Sequence, residues 1–161
     1  MNIDWLFKRT HLVLSFIAIG ILFGFICTMA AIEIKDYDLW LHLASGKYII
    51  EHQMIPKTDF LSFTIAGQPW VNHEWLFQVI IYWVFTLFSF NGLINFQMGI
   101  VAITFLFLLS LNPDKKNFLL VLFLFFVLFV YQSRFTLRPD IFSLLFLTLY
   151  LYILSMYLDR R

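Results

Sequence analysis

The feature that most constrains this chain is an uninterrupted apolar run near its N-terminus. The run extends from Leu12 to Ile32 and contains 21 residues, none of them charged. As an α-helix it would be about 31 Å long at ~1.5 Å per residue, which matches the hydrocarbon thickness of a bilayer. The apolar core of a secretory signal is shorter, at roughly 7–15 residues. The run therefore predicts a retained membrane anchor rather than a cleaved signal.

The composition places the rest of the chain in the same class. Of its 161 residues, 61% are hydrophobic and 13% are charged, and the mean hydropathy is +0.84. Soluble domains carry about 25% charged residues. A net charge of +1 provides no strongly basic surface, so we expect no nucleic-acid partner. The expected fold class is all-α, a polytopic membrane protein with about four transmembrane helices in a single membrane domain.

The basic residues indicate which apolar runs cross the membrane. Five runs are candidates, at about 12–32, 75–90, 93–111, 118–133 and 141–158. If all five cross and the N-terminus is cytoplasmic, seven of the eleven basic residues lie outside, against the positive-inside rule. If the second run does not cross, six basic residues lie inside, and these six flank helix ends. The sequence therefore favours four spans in the cytoplasmic (inner) membrane, with a cytoplasmic N-terminus.

In this topology, residues 33–91 form one long extracytoplasmic loop. Two amphipathic helices are expected within it, at about 38–52 and 74–90, lying along the lipid headgroups. On the second of these helices, the polar side chains lie within about 120° of one another, and tryptophan and aliphatic residues occupy the other face. The connection at 132–140 faces the same side of the membrane. A short, tilted fifth span is the alternative interpretation of 74–90.

Two aspartates stand at the beginning of this loop, in the segment "DYDLWLHL". Asp36 and Asp38 are one residue apart, and such carboxylates can share a divalent cation such as Mg²⁺ or Mn²⁺, or act as a general base. The alternative role is helix capping, because an aspartate at a helix N-terminus accepts backbone N–H groups and complements the helix dipole. His42 falls on the same helical face as Asp38 and is a candidate to contact a phosphate, or simply an interfacial histidine that faces water.

Two further polar segments are expected on the same side of the membrane. The segment "PWVNHEWLF" places His73 and Glu74 where the second amphipathic helix begins, with Asn72 in position to cap it. His73 and Glu74 are candidates to hold a metal ion or to orient a bound hydroxyl group. The segment "RFTLRPD" contains Arg134 and Arg138, whose guanidinium groups are suited to phosphate. The alternative is that these arginines only extend from helix ends to the interface.

Taken together, these segments resemble the N-terminal part of a GT-C superfamily membrane glycosyltransferase, in the bacterial group that includes dolichyl-phosphate-mannose and aminoarabinose transferases. The resemblance is carried by "DYDLWLHLASGKYIIEHQMIPKTDFLSFT", "GQPWVNHEWLF" and "RPDIFSLLF". Enzymes of this superfamily transfer sugar from a polyprenyl-phosphate donor to an acceptor, and their first extracytoplasmic loop often holds a catalytic aspartate. The resemblance implies that Asp38 is the catalytic base, with Asp36 completing a DxD-like pair.

The resemblance also bears on the extent of the chain. Enzymes of the superfamily usually have eight or more spans, so about four spans imply part of a truncated or split enzyme that is inactive alone. Its expected partners are membrane lipid, the polyprenyl-phosphate sugar donor and the remaining part of the enzyme. Two other classes stay open. A non-catalytic helical subunit of a larger complex would use its aspartates as caps, and a transporter would place ionisable residues inside its spans, where 12–32 and 93–111 have none.

Overall fold

The chain folds into α-helices in the part that can be described. The computed structural model describes residues 3–30, 37–111, 118–131 and 136–158. These residues contain five helices and no named strand. The helices are α1 (Ile3–Ala30), α2 (Asp38–His52), α3 (Trp75–Ser110), α4 (Phe118–Tyr131) and α5 (Asp140–Leu158). The all-α class predicted from the sequence is confirmed.

Two of these helices are long and apolar enough to cross a membrane, namely α3 and α5. Two further apolar segments are Val13–Thr28 in α1 and Leu119–Val130 in α4. The described residues therefore contain two candidate spans, where the sequence predicted four.

The chain divides into two compact units. The first contains α1, α4, α5 and the part of α3 that begins at Gln97. Within it α1 packs against α4, and Phe25 contacts Phe125 with ring centroids 6.0 Å apart. Its core is formed by Leu22, Ile26, Val101, Phe105, Val121, Leu124 and Leu128. This unit is therefore held by apolar side chains.

The second unit contains α2, the connection from α2 to α3, α3 as far as Phe96, and Leu137–Pro139. Its two helices are in direct contact at Gly46. A Cβ atom at that position would overlap the backbone carbonyl oxygen of Gln78 and would lie 2.7 Å from the Cβ of Tyr82. The absence of a side chain at Gly46 therefore allows α2 to lie directly against the backbone of α3.

The helix α3 is interrupted at Ser89, where φ is 58° and ψ is −156°. The sequence predicted a helix at 74–90 and a separate span from 93, and the structure has two helical parts that meet at the break at Ser89. Helical structure continues through Asn91 and Gly92, which lie between the two predicted segments. A Cβ atom on Gly92 would overlap the Cβ of Phe88. Glycine at 92 therefore allows the chain to resume a helix directly after the break.

The connection between α2 and α3 folds back on itself as a short hairpin. Thr58 and Pro69 form an isolated antiparallel bridge. Next to it, the Trp70 backbone N–H donates to the Lys57 carbonyl oxygen, with an N–O distance of 2.8 Å. We refer to residues 58–69 as the hairpin. Its base is therefore closed by backbone pairing, and its tip projects away from that base.

Candidate functional site

Two of the predicted site residues meet in the second unit. The Arg138 Nη2 atom lies 2.9 Å from the Asp38 Oδ2 atom. The side chains of Arg138 and Asp38 are 47% and 56% exposed, respectively. The aspartate that begins α2 and one of the predicted phosphate-binding arginines therefore form a half-exposed ion pair, although they are far apart in the sequence.

This pairing bears on the alternative role of Asp38 as a helix cap. The N-cap position of α2 is occupied by Tyr37, which has helical backbone angles of φ −65° and ψ −28° and makes no side-chain capping bond. Asp38 is the first residue of the helix itself. Its charge still complements the N-terminal end of the helix dipole. Asp38 therefore does not fill the N-cap position, and its carboxylate is directed to Arg138.

The residues on either side of Arg138 fix its backbone. Leu137 is completely buried, and Pro139 directly precedes the first residue of α5. Proline has a fixed φ and restricts the residue before it to extended conformations. The guanidinium group is therefore carried by a short segment whose backbone is constrained on both sides, while the side chain itself stays half-exposed.

Glu74 lies within ion-pair distance of two histidines. Its Oε2 atom is 3.6 Å from His42 Nδ1, and its Oε1 atom is 3.8 Å from His73 Nε2. The His42 side chain is 5% exposed and the His73 side chain 82% exposed. Both distances exceed those of ordinary hydrogen bonds, so the contacts are electrostatic and strengthen when an imidazole is protonated.

The surroundings of His42 differ from what its predicted role requires. Its ring meets the ring of Phe77 edge-on, with the centroids 5.1 Å apart. The buried imidazole therefore lies among Phe77 and Glu74 rather than on an open surface. Contact between His42 and a phosphate stays a prediction, and the described geometry supports a role in positioning Glu74.

Sequence reasoning missed a buried polar contact beside this group. The Asn72 Nδ2 atom donates to Gln78 Oε1 at 2.7 Å, and both side chains are buried. Asn72 was expected to cap the helix that follows, but its amide bonds to a side chain one turn inside α3. By its spacing, Gln78 belongs to the polar face of the helix predicted at 74–90, and that face was expected to lie at the headgroups. Close packing at Gly46 buries it instead.

The remaining predicted ligands are only partly described. Asp36 and Arg134 lie outside the described residues, so the carboxylate pair and the second arginine stay predictions. Among the described side chains, no group of three or more His, Cys, Asp and Glu residues could hold a metal ion. The Asp38 carboxylate contacts a guanidinium group. The Mg²⁺ or Mn²⁺ site predicted at Asp36 and Asp38 therefore stays a prediction, and we assign no chemical step to a metal.

Comparison of the chain with known protein families, with curated proteins and with solved structures finds no match. Fold and site therefore define a class rather than a family. In the described part, the chain is an all-helical protein with two candidate membrane-spanning helices. Its most distinctive polar feature is the pair formed by Asp38 and Arg138. The likeness to GT-C glycosyltransferases rests on the sequence resemblance alone.

Proposed function

We propose that this chain is part of a membrane glycosyltransferase in which Asp38 and Arg138 form the polar centre of a donor site. The reaction is transfer of a sugar from a polyprenyl-phosphate carrier to an acceptor hydroxyl at the extracytoplasmic face of the cytoplasmic membrane. One observation carries the proposal, the 2.9 Å contact between Arg138 Nη2 and Asp38 Oδ2. It brings a cation suited to phosphate next to a carboxylate suited to activating a hydroxyl.

The energetics of this pair favour a binding role over a purely structural one. An ion pair exposed to solvent contributes roughly 0–1 kcal/mol to stability, so the contact by itself adds little to the fold. Replacing the carboxylate by a phosphate oxygen therefore costs little. A guanidinium group presents several N–H donors in one plane and binds phosphate through paired hydrogen bonds.

In the proposed reaction, the Asp38 carboxylate removes the proton of the acceptor hydroxyl as its oxygen attacks the anomeric carbon. The bond between the anomeric carbon and the phosphate oxygen breaks, and the polyprenyl phosphate departs with the bonding electrons. Arg138 stabilises the negative charge on that leaving group. Arg134 lies outside the described residues. Because it also carries a guanidinium group, we propose that it helps to stabilise the leaving phosphate.

The carboxylate of Glu74 and the two histidines that face it, His42 and His73, are proposed to handle the acceptor. Glu74 and the exposed His73 are placed to accept and donate hydrogen bonds to acceptor hydroxyls. His42 is buried at 3.6 Å from Glu74 and is proposed to orient that carboxylate. Asp36 is proposed to complete the acidic pair with Asp38. These roles concern positioning, and only Asp38 and Arg138 are assigned to the reacting atoms.

The proposal includes the four-span topology, with the N-terminus in the cytoplasm and the loop 33–91 outside. The break at Ser89 supports it, because it divides the 36 residues of α3 into the parts 75–88 and 90–110. The second part has 21 residues and a length of about 31 Å, enough to cross a bilayer. The first part is then available to lie at the interface. The enzyme would be completed by further spans from a longer chain or a separate subunit.

A second candidate function is that of a non-catalytic helical subunit in a larger membrane complex. It is favoured by α5, in which only Ile141 and Thr148 are buried among 19 residues. The remaining apolar surface of that helix would face lipid or the helices of other subunits. In this case, the contact between Asp38 and Arg138 would serve only to hold α2 to the segment before α5.

Lipid binding distinguishes the two functions. The chain would be placed in phosphatidylcholine nanodiscs and titrated with a polyprenyl phosphate, with the polyprenol of the same length and with phosphatidylglycerol. The donor site requires saturable binding of the polyprenyl phosphate, at least about tenfold tighter than the polyprenol, because charge-assisted hydrogen bonds contribute roughly 1.5–3 kcal/mol. Equal affinity for all three lipids would contradict the donor site and leave the subunit function.

A further inference from the structure

The tip of the hairpin presents apolar side chains to the outside of the second unit. Phe63 is fully exposed, and its neighbours Leu61 and Ile65 are also exposed. No charged residue occurs anywhere from 60 to 72. Large exposed apolar groups that are grouped together mark an interaction surface rather than an ordinary solvated loop. The tip therefore needs a partner that accepts uncharged, apolar side chains.

The hairpin holds this tip in a defined shape. The Asp59 Oδ1 atom accepts hydrogen bonds from the backbone N–H groups of Leu61 and Ser62, both at 2.8 Å. The Gly67 N–H donates to the Asp59 carbonyl oxygen at 2.7 Å, and φ of Gly67 is +83°, a value that glycine adopts without strain. These bonds satisfy several backbone groups internally, which a segment entering lipid requires because it finds little water there.

An aromatic stack fixes the hairpin to α2. The ring of Tyr48 stacks on that of His52, with centroids 4.1 Å apart, and on that of Phe60, with centroids 4.4 Å apart. Phe60 in turn lies 6.3 Å from the ring of Trp70, at the end of the hairpin. The tip therefore has a fixed position relative to α2 and does not act as an independent loop.

The helix that follows the hairpin in the same unit also has an exposed apolar surface suited to contact with lipid. The first part of α3 exposes Leu76, Trp83 and Leu87, which are spaced along one stripe of the helix. Tryptophan is enriched where a membrane meets water. Charged or titratable residues flank the uncharged stretch, with Asp59 before it and His73 after it. This order is typical of a segment whose base meets lipid headgroups and whose tip meets acyl chains.

We propose that the tip of the hairpin inserts into the lipid bilayer. Leu61, Phe63 and Ile65 enter the boundary between headgroups and acyl chains to a depth of roughly 5–10 Å, as the apolar face of an interfacial element does. The partner is the lipid surface itself. Insertion does not depend on the chemistry proposed for Asp38, and it sets the depth of α2 relative to the membrane through the aromatic stack.

Depth-dependent quenching tests this insertion. The full chain, with its exposed Cys27 changed to serine, would carry a single cysteine labelled with the fluorophore NBD, either Phe63→Cys or Lys57→Cys. Lys57 is the matched control because it is an exposed residue at the base of the same hairpin. In vesicles of phosphatidylcholine with a minor share of phosphatidylglycerol, doxyl-labelled lipid should quench position 63 roughly twofold more than position 57.

Two outcomes would overturn the proposal. Equal quenching at both positions, with water-like emission at 63, would place the tip in solvent. Blue-shifted emission at 63 without quenching by lipid would show that another protein surface covers the tip. A second variant, Ile65→Cys labelled in the same way, controls for a local effect of replacing Phe63. The proposal requires position 65 to be quenched like position 63.

Discussion

At the scale of single residues, Asp59 makes the hairpin sensitive to acid. The Ser62 hydroxyl, together with the backbone N–H groups of Ser62 and Leu61, donates to its carboxylate and lowers the pKa of Asp59 below the usual value of 3.8. Because the folded-state pKa is the lower one, this stabilisation is fully present above pH 3.8 and is lost as the pH falls through the lowered pKa.

We therefore expect a nitroxide attached at position 63 to be immobile at neutral pH and to gain mobility as the pH falls below 3.8, as read from its electron paramagnetic resonance line shape. The control is Asp59→Asn, whose amide oxygen still accepts hydrogen bonds but does not titrate. In this variant the line shape should not respond to pH in this range. A wild-type spectrum that stays unchanged upon acidification would contradict a role for the Asp59 carboxylate in shaping the tip.

The sequence predicted part of the relation between Asp38 and Arg138, but not their contact. Counting basic residues predicted that Asp38 and Arg138 lie on one side of a membrane, which is a statement about topology and not about contact. Their pairing at 2.9 Å involves residues far apart in the chain, and no local pattern encodes it. Helix capping was the alternative interpretation of Asp38, and the structure departs from it by one position because Tyr37 occupies the N-cap.

At the scale of elements, the break in α3 gives a prediction with a definite sign. Ser89 has φ 58° and ψ −156°, a region where residues other than glycine are strained by about 1–3 kcal/mol. Ser89→Gly should therefore raise the free energy of unfolding by about 1 kcal/mol, measured by denaturant titration in detergent micelles.

The matched control for this change is Ser89→Ala, which keeps a Cβ atom and should give no comparable gain. If α3 were one uninterrupted helix, the signs would reverse. Glycine would then destabilise the protein by roughly 1 kcal/mol relative to alanine. A destabilised Ser89→Gly variant together with a stabilised Ser89→Ala variant would contradict the break.

The sequence predicted the extent of α2 but not which side of the next helix is buried. A helix at about 38–52 was expected from amphipathicity, and α2 extends over Asp38–His52. The orientation of the next helix was harder to predict, because a polar stripe is equally compatible with water and with a polar or close-packed neighbour. Gly46 explains why the polar stripe faces a neighbouring helix. Because Gly46 has no side chain, the backbone of α3 lies against α2, and Gln78 is buried. Two helices must be considered together to find such a contact.

At the scale of the whole molecule, the number of crossings can be tested by labelling from one side. The variant would carry Cys27→Ser and Lys115→Cys. Intact cells that contain it would be treated with a membrane-impermeant maleimide. The four-span topology predicts no labelling until the membrane is permeabilised, because residue 115 faces the cytoplasm in that arrangement. Lys47→Cys is the control that four and five spans both place outside. External labelling of residue 115 would contradict four spans.

The central proposal is that Arg138 binds the phosphate of a polyprenyl-linked donor, and one titration tests it most directly. Polyprenyl phosphate would be titrated into nanodiscs holding wild-type, Arg138→Gln or Lys47→Gln protein. Lys47 is a matched cation on α2, also about half-exposed, and pairs with Glu51 at 3.8 Å. We expect Arg138→Gln to weaken binding about tenfold or more and Lys47→Gln to stay within about twofold of wild type. Wild-type affinity in Arg138→Gln, or equal loss in both variants, would contradict the proposed site.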